Sequence, residues 1–296
     1  MNKGKIEPKS YEEIEKSAQE GDVKSIYSLG TMKMMDGKYE EAFKLLEEAA
    51  NKGNQKALVR LASLYRDGKG VSKNVPKALE LYQQGVESKN KYAEYSLGCM
   101  YLSGNEIEQN TDEALRLIKL SCEQNYKHAL FYYANILDKG PNGLPVDLTE
   151  SAKYYKKAAD LGISQAAYEY AAKCHDGDGV PVNVQEAFKY FKIAGKDGNA
   201  KALYNVGCMY TMGEGVEADE KKATKYFWKA ADAGDTEAQH NMGVSFLEGD
   251  GVQADICLAV KYFLKAAKKG FYPSIQYIKK MQALGIPVFE IVNGSS

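Results

Sequence analysis

The feature that most restricts how this chain can fold is a period. A small residue recurs at Ser25, Ala57, Ala93, Ala129, Ala166, Ala202, Ala238 and Ser274, at spacings of 32, 36, 36, 37, 36, 36 and 36 residues. Self-similarity in this range signals an array of supersecondary units rather than one closed core, since each unit buries its apolar face against its neighbours. Seven full units, from 25 to 273, and a partial eighth, 274–284, result.

With the small residue as position one, positions five and six pair a large apolar residue with a small one. Examples are Leu29-Gly30, Leu97-Gly98, Tyr170-Ala171, Val206-Gly207 and Met242-Gly243. Position nine is Tyr65, Tyr101, Leu137, Cys174, Tyr210 or Phe246 in units two to seven. Positions one, five and nine fall on one face of a helix. Glycine at position twelve (Gly68, Gly104, Gly140, Gly177, Gly213, Gly249) ends that helix, and four units add a second glycine at Gly70, Gly179, Gly215 and Gly251.

A second helix then opens on Asn74, Asn110, Asp147, Asn183, Asp219 or Asp255, whose side chains can accept from the free amides of a first turn. Glu113, Glu150 and Glu186 stand at the spacing of a capping box. This helix carries aromatic pairs such as Tyr190-Phe191, Tyr226-Phe227 and Tyr262-Phe263. It stops at Gly53, Gly162, Gly198, Gly234 and Gly270, with Lys89 and Asn125 in the equivalent places of two units. Each unit is thus an antiparallel helix pair, and the chain is expected to be all-α. Residues 1–10 read as a flexible N-terminus, 11–22 as a half-unit, and 285–296 as a tail. Val288, Phe289, Ile291 and Val292 of that tail are expected to cover the open end of the array.

Over residues 11–284 this pattern resembles the Sel-1-like repeat family, relatives of the tetratricopeptide repeat. The family signature, Ala-x-x-x-Leu-Gly-x-x-Tyr-x-x-Gly-x-Gly-Val followed by Asp, Ala, an aromatic pair, Ala-Ala and Gly, is nearly intact from Ala202 to Gly234 and from Ala238 to Gly270. The resemblance implies a right-handed superhelical solenoid whose first helices line the concave side, and a role as adaptor or scaffold. A cysteine-rich branch of the family, associated with beta-lactam binding and hydrolysis, spaces cysteines eight residues apart. Here Cys122 would need its partner at Leu130, which does not fit. That activity and a purely architectural, self-assembling role are the alternatives to a scaffold.

Charge excludes other classes. Lysine plus arginine number 39 against 40 acids, so no basic field exists to draw nucleic acid. Only Arg60, Arg66 and Arg116 carry the forked guanidinium suited to bidentate anion recognition. The N-terminus lacks an apolar signal core, and no run approaches the roughly 18 apolar residues of a membrane span. A cytoplasmic protein without membrane insertion is expected. Five cysteines make no Cys-x-x-Cys pair, and the histidines His128, His175 and His240 have no metal-binding spacing.

Apparent catalytic and cofactor motifs coincide with the repeat. Gly213 to Ala218 and Gly249 to Ala254 fit a dinucleotide fingerprint, yet they join two helices rather than a strand and a helix. Asp176-Gly177-Asp178-Gly179 starts like a calcium loop but has Ala187 at the twelfth place. Ser88 to Lys91 matches Ser-x-x-Lys without its companion motifs. No cofactor, metal or catalytic residue is therefore expected, and the partner is a protein or peptide.

The first-helix positions that would face a partner are three (Tyr27, Val59, Tyr95, Phe131, Tyr168, Tyr204, His240), four (Tyr132, Glu169, Asn205, Asn241) and seven (Asn135). Aromatic rings can stack on a peptide and amides can bond its backbone. Asparagine gains nothing intrinsic inside a helix, so the amides invite a functional explanation. The expected contact set is Tyr132, Asn135, Tyr168, Glu169, His175, Tyr204, Asn205, His240 and Asn241. Units four and five depart most from the pattern, with Lys173 where a large apolar residue is usual and prolines from Pro141 to Pro145. A local functional surface and a bend in the array both account for this.

Overall fold

The computed structural model describes residues 10–288 and 291. Among these, sixteen α-helices form and no strand. They are α1 (Tyr11–Gln19), α2 (Val23–Met35), α3 (Tyr39–Asn51), α4 (Gln55–Asp67), α5 (Val75–Glu87), α6 (Lys91–Ser103), α7 (Thr111–Glu123) and α8 (Lys127–Lys139). After a 3-10 turn at Pro141–Gly143 come α9 (Leu148–Asp160), α10 (Ser164–Asp176), α11 (Val184–Lys196) and α12 (Ala200–Met212). The last four are α13 (Glu220–Asp232), α14 (Thr236–Glu248), α15 (Ile256–Lys268) and α16 (Tyr272–Ala283). From α2 onward, even numbers are first helices of a repeat and odd numbers second helices.

The chain divides into two compact units, residues 1–129 and 130–296. In the first, each helix from α1 to α7 packs on the next, around Ile26, Leu46, Leu64, Tyr82 and Leu117. In the second, α9 to α16 do the same around Tyr155, Tyr190, Met242 and Phe263. Ring contacts also join α8 to α9, at 6.0 Å for Phe131–Tyr155 and 4.8 Å for Tyr133–Tyr154. Val288 is buried in the core of the last helices, with Ile291 against it. Phe289 and Val292, also expected there, lie outside the described residues, as does most of the N-terminal 1–10 segment.

The alternation of bulky and small residues has a direct structural basis. A Cβ on Gly207 would stand 2.6 Å from Phe227, and one on Gly243 2.7 Å from Phe263. These glycines therefore let the second helix press an aromatic ring against the backbone of the first. Position three packs on the same rings: Tyr168 on Phe191 at 5.7 Å, Tyr204 on Phe227 at 5.5 Å, and His240 on Phe263 at 5.5 Å.

Each expected cap forms. Asn74, Asn110, Asp147, Asn183, Asp219 and Asp255 all accept from the backbone amide three residues on. The capping boxes at Glu113, Glu150 and Glu186 do not complete, and the reason is local. The cap's own N–H, which the glutamate would accept from, already donates across the turn to the position-nine carbonyl of the first helix. It runs from Asn110 to Tyr101, from Asp147 to Leu137 and from Asn183 to Cys174. The glutamates pair with Arg116, Lys153 and Lys156 instead. A complete capping box is found at α1, between Ser10 and Glu13.

Lys173, the irregular residue of unit five, is 7% exposed. Its ammonium is paired with Asp138 of α8, one repeat earlier, and lies 5.9 Å from the centre of the Tyr155 ring. The break in the apolar pattern is thus matched by a buried ion pair. Lys89 and Asn125 adopt positive φ, 54° and 53°, where the other second helices end in glycine.

Candidate peptide-binding site

Helices α10 and α12, with α11 behind them, enclose a cavity of about 310 Å³ in the second unit. Tyr168, Ala172, His175 and Asp176 come from α10, Phe191 from α11, and Asn205, Cys208, Met209 and Met212 from α12; Glu214 enters from the turn after α12. Helical spacing sets this up. Tyr168, Ala172 and His175 stand at intervals of four and three, as do Asn205, Cys208 and Met212 at three and four, so each set forms one stripe.

The polar end is acidic. His175 Nδ1 lies 2.6 Å from Asp176 Oδ1 and Nε2 lies 3.4 Å from Glu214 Oε2. The Asp176 contact, aided by Glu214 and opposed by partial burial, raises the His175 pKa above its ordinary value. Protonated, the cluster carries a net charge of −1; with neutral imidazole it carries −2. Burial pushes the Cys208 thiol up, a hydrogen bond from Tyr204 only partly offsetting it, so the sulfur stays a thiol. With both imidazole nitrogens held by carboxylates, these groups are arranged for charge and hydrogen-bond recognition. Met209, Met212, Phe191 and Tyr168 supply the apolar part of the lining. Met212 is 65% exposed, an unusual place for a large apolar side chain without a covering partner.

Of the expected contact set, Tyr168, His175 and Asn205 meet in this cavity. The others lie outside its lining. Asn135 donates from Nδ2 to the Phe131 carbonyl at 2.8 Å and accepts from the Tyr155 hydroxyl at 3.1 Å, so its amide is used within the fold. His240 bonds Ser274 Oγ at 2.9 Å amid Phe263, Phe271 and Tyr277, and burial lowers its pKa. Glu169 accepts from Gln165 at 2.6 Å. Burial, aided by nearby Cys208 and Glu237, raises the pKa of the Tyr204 hydroxyl. Tyr132 and Asn241 are half-buried on α8 and α14.

Asp176, Glu214, Met209 and Met212 were not expected from the sequence. The acids stand at glycine turns of a kind that recurs in units two to seven, which hid them. A usable signal was present, since Glu214 stands between Gly213 and Gly215 where the preceding unit has Asp178 between Gly177 and Gly179.

The sequence matches the Sel1 repeat family at 25–54, 55–90, 91–126, 127–163, 164–199, 200–235 and 236–271. The chain belongs to the Sel1 repeat family. Two solved structures share its architecture. One is c5321, a protective antigen of uropathogenic Escherichia coli with an SLR fold, 22% identical with a TM-score of 0.76 over 93% of this chain. This chain covers 59% of that antigen. The other is a Sel1 repeat protein from Oxalobacter formigenes, 26% identical with a TM-score of 0.67, covering 84% of this chain and 100% of its own. No curated protein sequence matches the chain. Among the described residues none of the five cysteines forms a disulfide, no cluster of three His, Cys, Asp or Glu side chains is placed to hold a metal ion, and no helix is long and apolar enough to cross a membrane.

Proposed function

We propose that this Sel1 repeat chain is a scaffold that holds a peptide segment of a partner protein, and that the cavity between α10 and α12 takes a lysine or arginine side chain of that segment. The observation carrying this reading is the convergence of Asp176 and Glu214 beside an apolar wall of Met209, Met212 and Tyr168 in one cavity. A basic side chain has the matching form, an aliphatic stem ending in a cation. Asn205 lies within the same lining, and in this reading its amide bonds the peptide backbone. Family membership supports the adaptor role, since the repeat offers helix faces rather than a reactive centre.

Selection of a random octapeptide library on the immobilised chain tests it. Peptides bearing Lys or Arg are expected to be enriched, and Glu214→Gln is expected to weaken them about tenfold, in line with loss of one charge-assisted contact of about 1.4 kcal/mol. Enrichment without basic residues, or unchanged binding to the variant, refutes the assignment.

The same site has a pH signature. The folded pKa of His175 is raised, so the stability its imidazolium confers is fully present below the unfolded value and is lost as pH rises through the folded one. Affinity for a basic peptide should move the opposite way, increasing as the imidazolium deprotonates and the cluster goes from −1 to −2. Titrating peptide binding between pH 6 and pH 9, about the range in which a raised histidine titrates, should show this increase in the wild type and not in His175→Gln. A flat wild-type profile removes His175 from the site.

A further inference from the structure

The first unit contains a second cavity of about 310 Å³, lined by Tyr27, Lys56, Val59, Arg60, Ser63, Tyr92, Tyr95, Ser96 and Tyr126. It lies among α2, α4 and α6 and has no acid in its lining. It shares no residue with the α10–α12 cavity and has the opposite charge, so the nature of its occupant is independent of the reading of that site.

The arginines of the chain show what is unusual here. Arg66 contacts Asp67 at 2.8 Å, and Arg116 contacts Glu113 at 2.6 Å. Among the described residues Arg60 has no carboxylate partner, although it is half-buried. Its Nε donates to the Tyr27 hydroxyl at 3.1 Å, and the guanidinium lies 5.9 Å from the centre of that ring. The contact with Tyr27 uses one of the five N–H donors and fixes the plane of the fork. Its remaining N–H donors line the cavity, where an anion can take the place of water and gain charge-assisted hydrogen bonds. Lys56, also without a carboxylate partner among the described residues, adds a second positive charge 5.6 Å from the Tyr92 ring.

The aromatic walls pack on one another. Tyr126 packs edge-on against Tyr92 at 5.0 Å and Tyr95 at 5.4 Å. Burial pushes the Tyr126 hydroxyl up, so it remains a donor. The cavity therefore combines a cationic end rich in N–H and O–H donors with ring faces and Val59 for a short apolar stem. Its volume of about 310 Å³ leaves room for an acidic side chain together with the peptide backbone that carries it. Two cations in a chain of net charge −1 are enough for a carboxylate but do not make the extended basic track that a nucleic acid backbone needs.

We propose that the Arg60 cavity binds the acidic side chain, glutamate or aspartate, of a peptide in a partner protein, with Arg60 forming the bidentate contact and Lys56 a supporting charge.

The test is selection of a random octapeptide library on four forms of the full chain: wild type, Arg60→Gln, Lys56→Gln and Arg116→Gln. Recovered peptides are sequenced, and folding of each form is checked by helical circular dichroism. The wild type and Arg116→Gln should enrich the same Asp/Glu-bearing set. Arg60→Gln should lose that set at least tenfold and Lys56→Gln two- to fivefold, while the basic set retained by the α10–α12 cavity is unchanged. A poly(U) oligonucleotide is titrated in parallel. The proposal is overturned by the absence of an acidic set on the wild type, by its survival in Arg60→Gln, or by Arg60-dependent binding of the oligonucleotide that exceeds that of the selected peptides. If the basic set alone fails, the α10–α12 reading falls and this one stands.

Discussion

Asp138→Ala is expected to lower stability by about 3 kcal/mol, the cost of leaving a buried charge without its partner. The side chain of Lys173 is 8% exposed and that of Asp138 is 21% exposed, so the ammonium has little access to replacement water. Ser151 Oγ, the neighbouring hydroxyl, donates to the Ala134 carbonyl at 3.1 Å and is a neutral group that cannot replace the lost carboxylate charge. Adding Lys173→Met should recover most of the loss, because the same repeat position holds Leu64, Met100, Ile136 and Met209 elsewhere, all buried. Urea unfolding followed at 222 nm measures the sum, and hydrogen exchange locates it. Repeat arrays open in segments, so α8 to α10 should lose protection before α14 to α16. A single variant within 1 kcal/mol of wild type, or a double variant no better than the single, would show that the pair does not hold these helices together.

That pair also marks where sequence reasoning ends. Lys173 is visible as a departure from an apolar position, but its partner is 35 residues away, and only the register of one repeat on the next identifies Asp138. The helix boundaries were legible because their causes are local: an Asn or Asp cap, a left-handed glycine, a small residue opposite a ring. The capping boxes at Glu113, Glu150 and Glu186 were over-read because a spacing of three says nothing about whether the cap's N–H is already donated across the turn.

The site was less legible than the fold. Asn135 stood out because a helix interior gives an amide no intrinsic benefit, and His240 as a member of the position-three aromatic series, yet each is engaged by a neighbouring helix, through Tyr155 and Ser274. Asp176 and Glu214 were passed over as turn residues. Arg60 was counted among too few arginines to matter, although a single guanidinium suffices for one carboxylate. In each case the deciding quantity is the direction of a side chain relative to a neighbouring helix, which sequence periodicity does not encode.

Gly179→Ala should be as damaging as loss of the ion pair, and it separates two effects that the repeat's glycines usually combine. Gly179 has a φ of 75°, which costs an L-residue roughly 1–2 kcal/mol, partly offset by the smaller unfolded-state entropy of alanine. A Cβ there would also stand 2.2 Å from the Leu148 carbonyl oxygen and 2.7 Å from the Thr149 nitrogen, at the start of α9. These are backbone atoms of the preceding repeat's second helix, so no rotamer change relieves the overlap; α9 must move away from the turn, at a further cost of about 2 kcal/mol. Gly162 provides the control, with a φ of 84° and nothing within 4 Å of its Cβ position. Gly162→Ala should therefore show the conformational part alone, about 1 kcal/mol. In thermal and urea unfolding, Gly179→Ala is expected to lose about 3 kcal/mol and Gly162→Ala about a third of that. Equal losses would mean that the second glycine of the turn is needed only for its backbone angle. Unequal ones would mean that it is the point where one repeat is seated on the next, which accounts for its return at Gly70 beside Tyr39 and at Gly215 beside Val184.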